Sequence, residues 1–265
     1  MPRQPKPTDG RGFSCRKINR LPSHSELDDL VVVLVRPRNP LNIGAAARAM
    51  SNFGVRRLRL VNPYSLAFRE ARSAVGASAL LRDAQEFKAL GEAIADCSLV
   101  VGTTAVRNRA LQHPVQPLHE AAAEFRGYLK TGRVALLFGS EKIGLTNDDF
   151  NHCHWLLTIP TQEQHISMNL GQAVAVCLYE LARDNSSKPI REDEEPATAG
   201  EVEKIISYLL EALSISQYVK PNTDEFFEKK VRHHMRRLNI HRTDAHVLLG
   251  MVRKIALKLR QDCKR

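Results

Sequence analysis

Leu30-Val31-Val32-Val33-Leu34-Val35, the loop Arg36-Pro37-Arg38-Asn39-Pro40 and the Ala-rich stretch over 43–53 together decide the fold class. Six consecutive apolar residues, four of them valine, predict a strand buried on both faces, since a half-exposed strand would alternate. Asn42 is placed as the N-cap of a helix over 43–53 that Gly54 closes. Leu58-Arg59-Leu60-Val61 reads as a second strand, ended by Asn62-Pro63. A strand–helix–strand unit of this length implies parallel pairing with a right-handed crossover.

The alternation continues. Residues 85–95 are expected to be helical, 98–101 a strand, 117–130 a helix, 134–138 and 156–159 strands, and 169–183 a long apolar helix. The class is therefore α/β, a mostly parallel sheet with helices on both faces, which binds ligands beyond the C-terminal strand ends. Residues 1–27, with Pro2, Pro5, Pro7 and Pro22 and no periodicity, predict a disordered basic tail. The catalytic body is placed at 28–184, a solvated acidic linker at 185–200, and a small all-α module at 201–265. Its helices are expected over 201–213, over 226–238, and from a cap at Thr243 or Asp244 to Leu259.

The formal charge is +10, the pI is near 9.6, and apolar residues make up 43% of the chain, enough for a real core. The excess sits at the ends. Residues 1–20 carry six basic and one acidic group and 229–265 twelve and two, while 21–183 hold 17 and 15. Basic ends beside a nearly neutral body suit either a nucleic-acid contact or simple solvation. No run approaches the roughly 18 apolar residues of a membrane span, and no secretory signal is visible, so a cytoplasmic protein with no membrane partner is expected.

Five scattered cysteines form no CxxC pair, which disfavours a disulfide framework or a structural metal. Adjacent positions in an extended chain point His152, Cys153 and His154 apart, so no metal is assigned to them. His233-His234, His241 and His246 suit phosphate better than metal, Cys177 reads as core, and Trp155 is expected to be buried.

Three strand ends carry small and polar residues. Asn42-Ile43-Gly44-Ala45-Ala46-Ala47-Arg48 reads as a capped helix with a surface arginine, or as one border of a cleft. Phe138-Gly139-Ser140-Glu141-Lys142-Ile143-Gly144-Leu145 is a tight turn, or a loop that brings backbone close to a ligand. It lacks the lysine and hydroxyl positions of a phosphate-binding GxxxxGK[ST] loop. Ile159-Pro160, running on to Ser167-Met168-Asn169-Leu170, feeds polar residues into a helix start.

In order and spacing these loops resemble the three motifs of the SpoU/TrmH branch of the SPOUT methyltransferases, NxGAxxR, FGxExxG and IPxxxxxxSxNxxxA, over roughly residues 30–183. The strings NPLNIGAAARAMSNFG and FGSEKIGLTNDDF, with a helical appendage, are most similar to the TrmJ group within that family. Met168 stands where the family usually has leucine. The resemblance implies a fold with a C-terminal trefoil knot, an RNA ribose 2′-O-methyltransferase, and a tRNA substrate methylated at position 32 of the anticodon loop. Ribosomal RNA or another tRNA position is the alternative within the class, and a non-catalytic RNA-binding or assembly factor the alternative outside it. Intact Asn42, Arg48, Glu141 and Asn169 argue against the latter.

The resemblance also implies S-adenosylmethionine as cofactor, bound by Thr103, Thr104, Ala105, Gly139, Ser140, Glu141, Gly144, Ile159, Ser167, Met168, Asn169 and Leu170. Arg48 matches the family's catalytic arginine. A guanidinium stays protonated in proteins, so stabilising an alkoxide or clamping a phosphate suits it better than acting as base. Asn42 and Glu141 are expected to position that arginine or the ribose, with Ser167 and Asn169 lining the same cleft; Glu141 alternatively caps the turn. An obligate homodimer is implied, with the apolar face of 169–183 and the first motif's helix as its seam.

Overall fold

A computed structural model describes residues 27–73, 79–105, 113–162, 164, 167–183, 195–219 and 224–262. The expected tail over 1–26 and most of the acidic linker, 185–194, lie outside the described residues. The chain runs β1 (Leu30–Val35), α1 (Pro40–Asn52), β2 (Arg57–Val61), α2 (Ser65–Ser73), α3 (Ala79–Arg82), β3 (Gln85–Phe87), α4 (Leu90–Ala93), β4 (Leu99–Thr103), β5 (Val115–Pro117) and α5 (Leu118–Leu129). It continues through β6 (Val134–Phe138), α6 (Asn147–Phe150), β7 (Trp155–Thr158), α7 (Leu170–Arg183), α8 (Ala199–Ile215), α9 (Asp224–Arg237) and α10 (Arg242–Asp262).

Among the described residues seven strands pair in parallel, in the order β3-β2-β1-β6-β4-β7-β5. Successive β1 residues point to opposite faces, so Val32 and Leu34 enter one apolar core while Val31, Val33 and Val35 enter the other. The first core is filled by α1, α2, α5 and α7, the second by α4, by Phe150 of α6 and by Ala199 at the start of α8. From β1 the chain moves outward through β2 to β3, then returns to lay β4 on the far side of β1. A crevice opens beyond the strand ends where that direction reverses.

Several expectations need correction. Asn39 caps α1, its Oδ1 accepting from the Leu41 amide at 2.9 Å, with Pro40 as the first helical residue. Proline at that position lacks only an amide that no helix bond needs, so the cap lies three residues before Asn42 and the helix starts two before it. Residues 85–95 split into the edge strand β3 and the single turn α4, because Gln85–Phe87 pairs with β2. Thr243 and Asp244 lie inside the first turn of α10, which starts at Arg242.

The stretch placed at the end of the linker is packed against the body. Ala197 and Ala199 are buried, Ala199 N donates to Cys97 O at 2.7 Å, and Thr198 forms a capping box with Glu201. Glu195 pairs with Arg242 rather than with water alone. Finally, the apolar face of 169–183 lies within the protomer, where Val174, Cys177, Leu178 and Leu181 join the core beneath α1 and α5. It is not available as a seam between subunits. Exposed apolar side chains nearby are Leu41, Val176 and Tyr179.

α8, α9 and α10 gather around a third apolar cluster that includes Val202, Ile205, Met235 and Val252. Helix α9 meets the body through polar groups. His233 Nδ1 lies 2.8 Å from His113 Nε2, Arg236 is buried with one hydrogen bond to Glu203, and Lys229 pairs with Asp148 of α6 at 2.8 Å. Among the residues dismissed as metal ligands, His154 Nδ1 accepts from Val100 N at 3.1 Å and Cys153 Sγ donates to Asp149 O at 3.6 Å. Trp155 is buried in edge contact with Phe125.

Burial, then nearby cations, pushes His113 and His152 down to about 4 and His154 to about 3, against an ordinary 6.5. The folded protein keeps these rings neutral while the unfolded chain takes up protons near pH 6.5. Unfolding is therefore favoured as pH falls from about 6.5 toward 4. The urea midpoint is expected to be level above pH 7 and to drop clearly by pH 5; a midpoint unchanged between pH 7.5 and 5 would contradict this.

Candidate active site

The C-terminal ends of the adjacent strands β6, β4 and β7, together with the start of α7, enclose a cleft of about 780 Å³. Thr103, Thr104 and Ala105 follow β4. Gly139, Ser140, Glu141 and Gly144 follow β6, and Ile159 follows β7, ahead of Ser167, Met168, Asn169 and Leu170. All twelve residues singled out as cofactor contacts line this one cleft, and Asn42 joins them. Arg48 does not; it is exposed, six residues further along α1. Six residues at 3.6 per turn carry it well around the helix from Asn42.

Turn geometry explains the loop after β6. Ser140 and Gly144 form an antiparallel bridge, with Gly144 N donating to Ser140 O at 2.8 Å, and Gly144 has φ +69°. A Cβ on Gly139 would lie 1.9 Å from the Gly144 carbonyl carbon, so only glycine lets the turn fold back on itself. The sharp reversal leaves Glu141 at the tip, facing the start of α1.

There its carboxylate is held by three donors. Oε2 accepts from Arg38 N at 3.1 Å, and Oε1 accepts from Asn39 N at 3.2 Å and from Asn42 Nδ2 at 3.0 Å. Asn42 Oδ1 accepts in turn from Asn169 Nδ2 at 2.8 Å. Asn169 Oδ1 then caps α7, accepting from Gly171 N at 2.9 Å and Gln172 N at 3.4 Å. The three polar residues of the three motifs thus form one relay that ties together the β1–α1 turn, the β6–α6 loop and the head of α7.

Partial burial works to raise the Glu141 pKa, but the Asn42 amide and the surrounding backbone amides outweigh it and hold the carboxyl below its ordinary value. It is ionised at neutral pH and is not poised as a general acid. Close helix packing completes the frame: a Cβ on Gly171 would come within 2.5 Å of Ala45 Cβ, so α7 and α1 touch backbone to small residue. The Thr103 hydroxyl donates to Leu137 O at 2.8 Å, which leaves Thr103 shaping the wall rather than offering a donor.

Sequence reasoning did not name Phe138, Lys142, Ile143, Leu145, Phe150, Leu157, Thr161 and Ala173 as lining residues. Ala173 was findable, since it is the last residue of the third motif and stands one helical turn after Leu170. Phe150 was not, because the short helix α6 that presents it gives no periodic signal.

A model of the SpoU rRNA Methylase family matches residues 29–179, more than half of the chain. The chain belongs to that family. Among its relatives, the tRNA (cytidine/uridine-2′-O-)-methyltransferase TrmJ of Klebsiella pneumoniae is 34% identical over 237 residues, covering 86% of this chain and 97% of that protein. The protein of the same name from Yersinia pestis strain Pestoides F is 33% identical and covers the same share of this chain and 92% of its own. The solved structure of TrmJ from Z. mobilis ZM4 superposes with a TM-score of 0.72 at 32% identity, over 85% of this chain and 98% of that one. The similarity therefore runs past the family model into the helices that follow residue 183.

Replacing Gly139 with alanine should cost about 1–3 kcal/mol, since overpacking against backbone cannot be relieved by a rotamer change. Urea unfolding measures the loss, and an unchanged midpoint would show that the turn is not as tight as described.

Proposed function

We propose that this protein methylates the ribose 2′-hydroxyl of tRNA, using S-adenosylmethionine, at a cytidine or uridine at position 32 of the anticodon loop. The observation that carries this reading is the single cleft formed by three relay-tied loops, in a chain that matches tRNA 2′-O-methyltransferases along most of its length.

The residues present fit the cofactor. The cleft is in the size range of a small-molecule site. Ile159, Leu157, Leu170 and Ala173 give it apolar walls, and the loops over 103–105 and 139–144 present backbone. Such a lining suits a nucleoside held by shape and backbone contacts more than by charged side chains. When bound, S-adenosylmethionine supplies a methyl group already activated on a sulfonium.

The protein's own task is then to orient the 2′-oxygen and ease loss of its proton. Glu141, Asn42 and Asn169, bonded to one another, act as positioning residues that hold the three loops in register. Arg48 acts on the substrate as a permanent cation, stabilising the developing alkoxide or clamping the neighbouring phosphate.

Arg48 lies outside its own protomer's cleft and is exposed. This supports a homodimer in which α1 of one chain brings Arg48 to the other's site. Exposed Leu41, Val176 and Tyr179 support the outer surface of α1 and α7 as the contact. Gly44 supports it too, because a Cβ there meets nothing within 4 Å in this protomer. A trefoil knot in the C-terminal half of the sheet fits a strand order in which β6 lies between β1 and β4. Residues 28–184 serve as the catalytic body and the helices of 201–265, with their own apolar cluster, as a basic module beside it. A tRNA substrate implies a cytoplasmic site of action.

Total tRNA incubated with methyl-labelled S-adenosylmethionine should gain label, and nuclease mapping should place it on a position 32 ribose. Label in ribosomal RNA alone moves the substrate, and no label in any RNA despite cofactor binding favours a binding factor. Arg48→Ala should reduce turnover by about 10²–10³-fold, the range for lost electrostatic stabilisation, while S-adenosylmethionine affinity survives. Mixing Arg48→Ala with a cofactor-dead variant should restore part of the activity if sites are shared.

A further inference from the structure

Two carboxylates eight residues apart, Glu141 and Asp149, grip the same short segment from the two ends of one loop. Glu141 holds Arg38 N, Asn39 N and Asn42. Asp149, nearly buried, pairs in two-pronged fashion with Arg36: Nη1 donates to Oδ1 at 3.1 Å and Nη2 to Oδ2. The remaining capacity of Oδ2 is taken by Thr146 N at 2.6 Å and Thr146 Oγ1 at 2.8 Å. Leu145 and Phe150, each next to a residue of this cluster, line the cleft.

Arg36 itself has φ +52°, a left-handed conformation that side-chain-bearing residues adopt rarely and that persists where the surroundings impose it. Its amide still donates to Val61 O at 2.8 Å, extending the β1–β2 ladder. The backbone thus leaves β1 at Arg36, turns sharply, and delivers Arg38 and Asn39 to Glu141. Arg36 is no part of the three motifs, and it does not line the cleft.

We propose that Arg36 is a positioning residue for the cofactor cleft: through Asp149 it fixes the far end of the β6–α6 loop to the same turn that Glu141 holds at the near end. The inference rests on the reading of this cleft as the S-adenosylmethionine site. With both ends anchored to one rigid turn, the loop over 139–150 keeps a single shape. With Arg36 removed, the loop swings on Glu141 alone. The charge-assisted, two-pronged pair is what supplies orientation, so a lysine, which offers a single compact cation, restores it only in part.

The test uses the full-length protein with Arg36→Gln, Arg36→Lys and Arg36→Gly, the last relieving the backbone conformation while deleting the pair. Arg36→Gln and Arg36→Gly should both raise the dissociation constant and the KM for S-adenosylmethionine at least tenfold, with the KM for tRNA within twofold of wild type. Arg36→Lys should fall between. Amide hydrogen exchange over 139–150 should speed up at least tenfold in Arg36→Gln and far less elsewhere in the sheet. A purely structural arginine would lower the thermal midpoint while leaving cofactor affinity and loop exchange unchanged, and that result overturns the proposal. So does wild-type affinity in Arg36→Gly, which would assign the effect to backbone conformation. Should the wild-type protein bind no S-adenosylmethionine, the reading of the cleft fails, and the exchange measurement alone decides the role of Arg36.

Discussion

The Glu141 carboxylate is the interaction on which the site depends. It sits on a loop that only glycine at 139 and left-handed Gly144 allow to double back, and it accepts from the two amides preceding α1 and from Asn42. Through Asn42 and Asn169 the same contact reaches the head of α7. Three segments far apart in the chain are held within hydrogen-bonding distance by one ionised group. Its ionisation is secured by the donors around it, so the relay is intact throughout the neutral pH range.

Glu141, Asn42 and Asn169 are engaged with one another, so the cleft they border is walled largely by small polar and apolar side chains, with Lys142 as a further charged group. Apart from Lys142, the cations lie outside the cleft lining. Much of the basic C-terminal charge meets carboxylates of the acidic stretch and of α8 and α9: Arg232 with Glu203 and Glu228, Arg242 with Glu195, Arg260 with Glu211. The twelve basic against two acidic groups of 229–265 therefore overstate the local field, because the pairing carboxylates Glu195, Glu203, Glu211 and Glu228 lie in the preceding segments. What remains exposed includes Arg237, Arg253 and Lys254 on α9 and α10, and Arg48 on α1.

The fold class was legible because β1 is apolar at every position, which only a strand covered on both faces tolerates. Glycines and small polar residues at strand ends marked two of the loops as either turns or ligand loops, and only the resemblance of three motifs to a known family assigned the cleft residues. The start of α1 was misplaced because Pro40, read as loop, is a favoured first helical residue. β3, α3, α4, β5 and α6 span three or four residues each, too short for a period to register, and the β6–α6 loop draws its order from partners about a hundred residues away. The Arg36–Asp149 pair spans 113 positions, and no local pattern marks it. The inward commitment of α7's apolar face was hidden for a different reason: a helix's sequence shows that it buries a face, not against which chain.

The most direct test of this account is the affinity of the Glu141→Ala variant for S-adenosylmethionine, measured by titration calorimetry beside its thermal midpoint. The account predicts a dissociation constant at least tenfold weaker, about 1.4 kcal/mol, with a midpoint within a few degrees of wild type. Wild-type affinity in that variant would contradict it, because the three loops would then hold the cleft without the carboxylate that joins them.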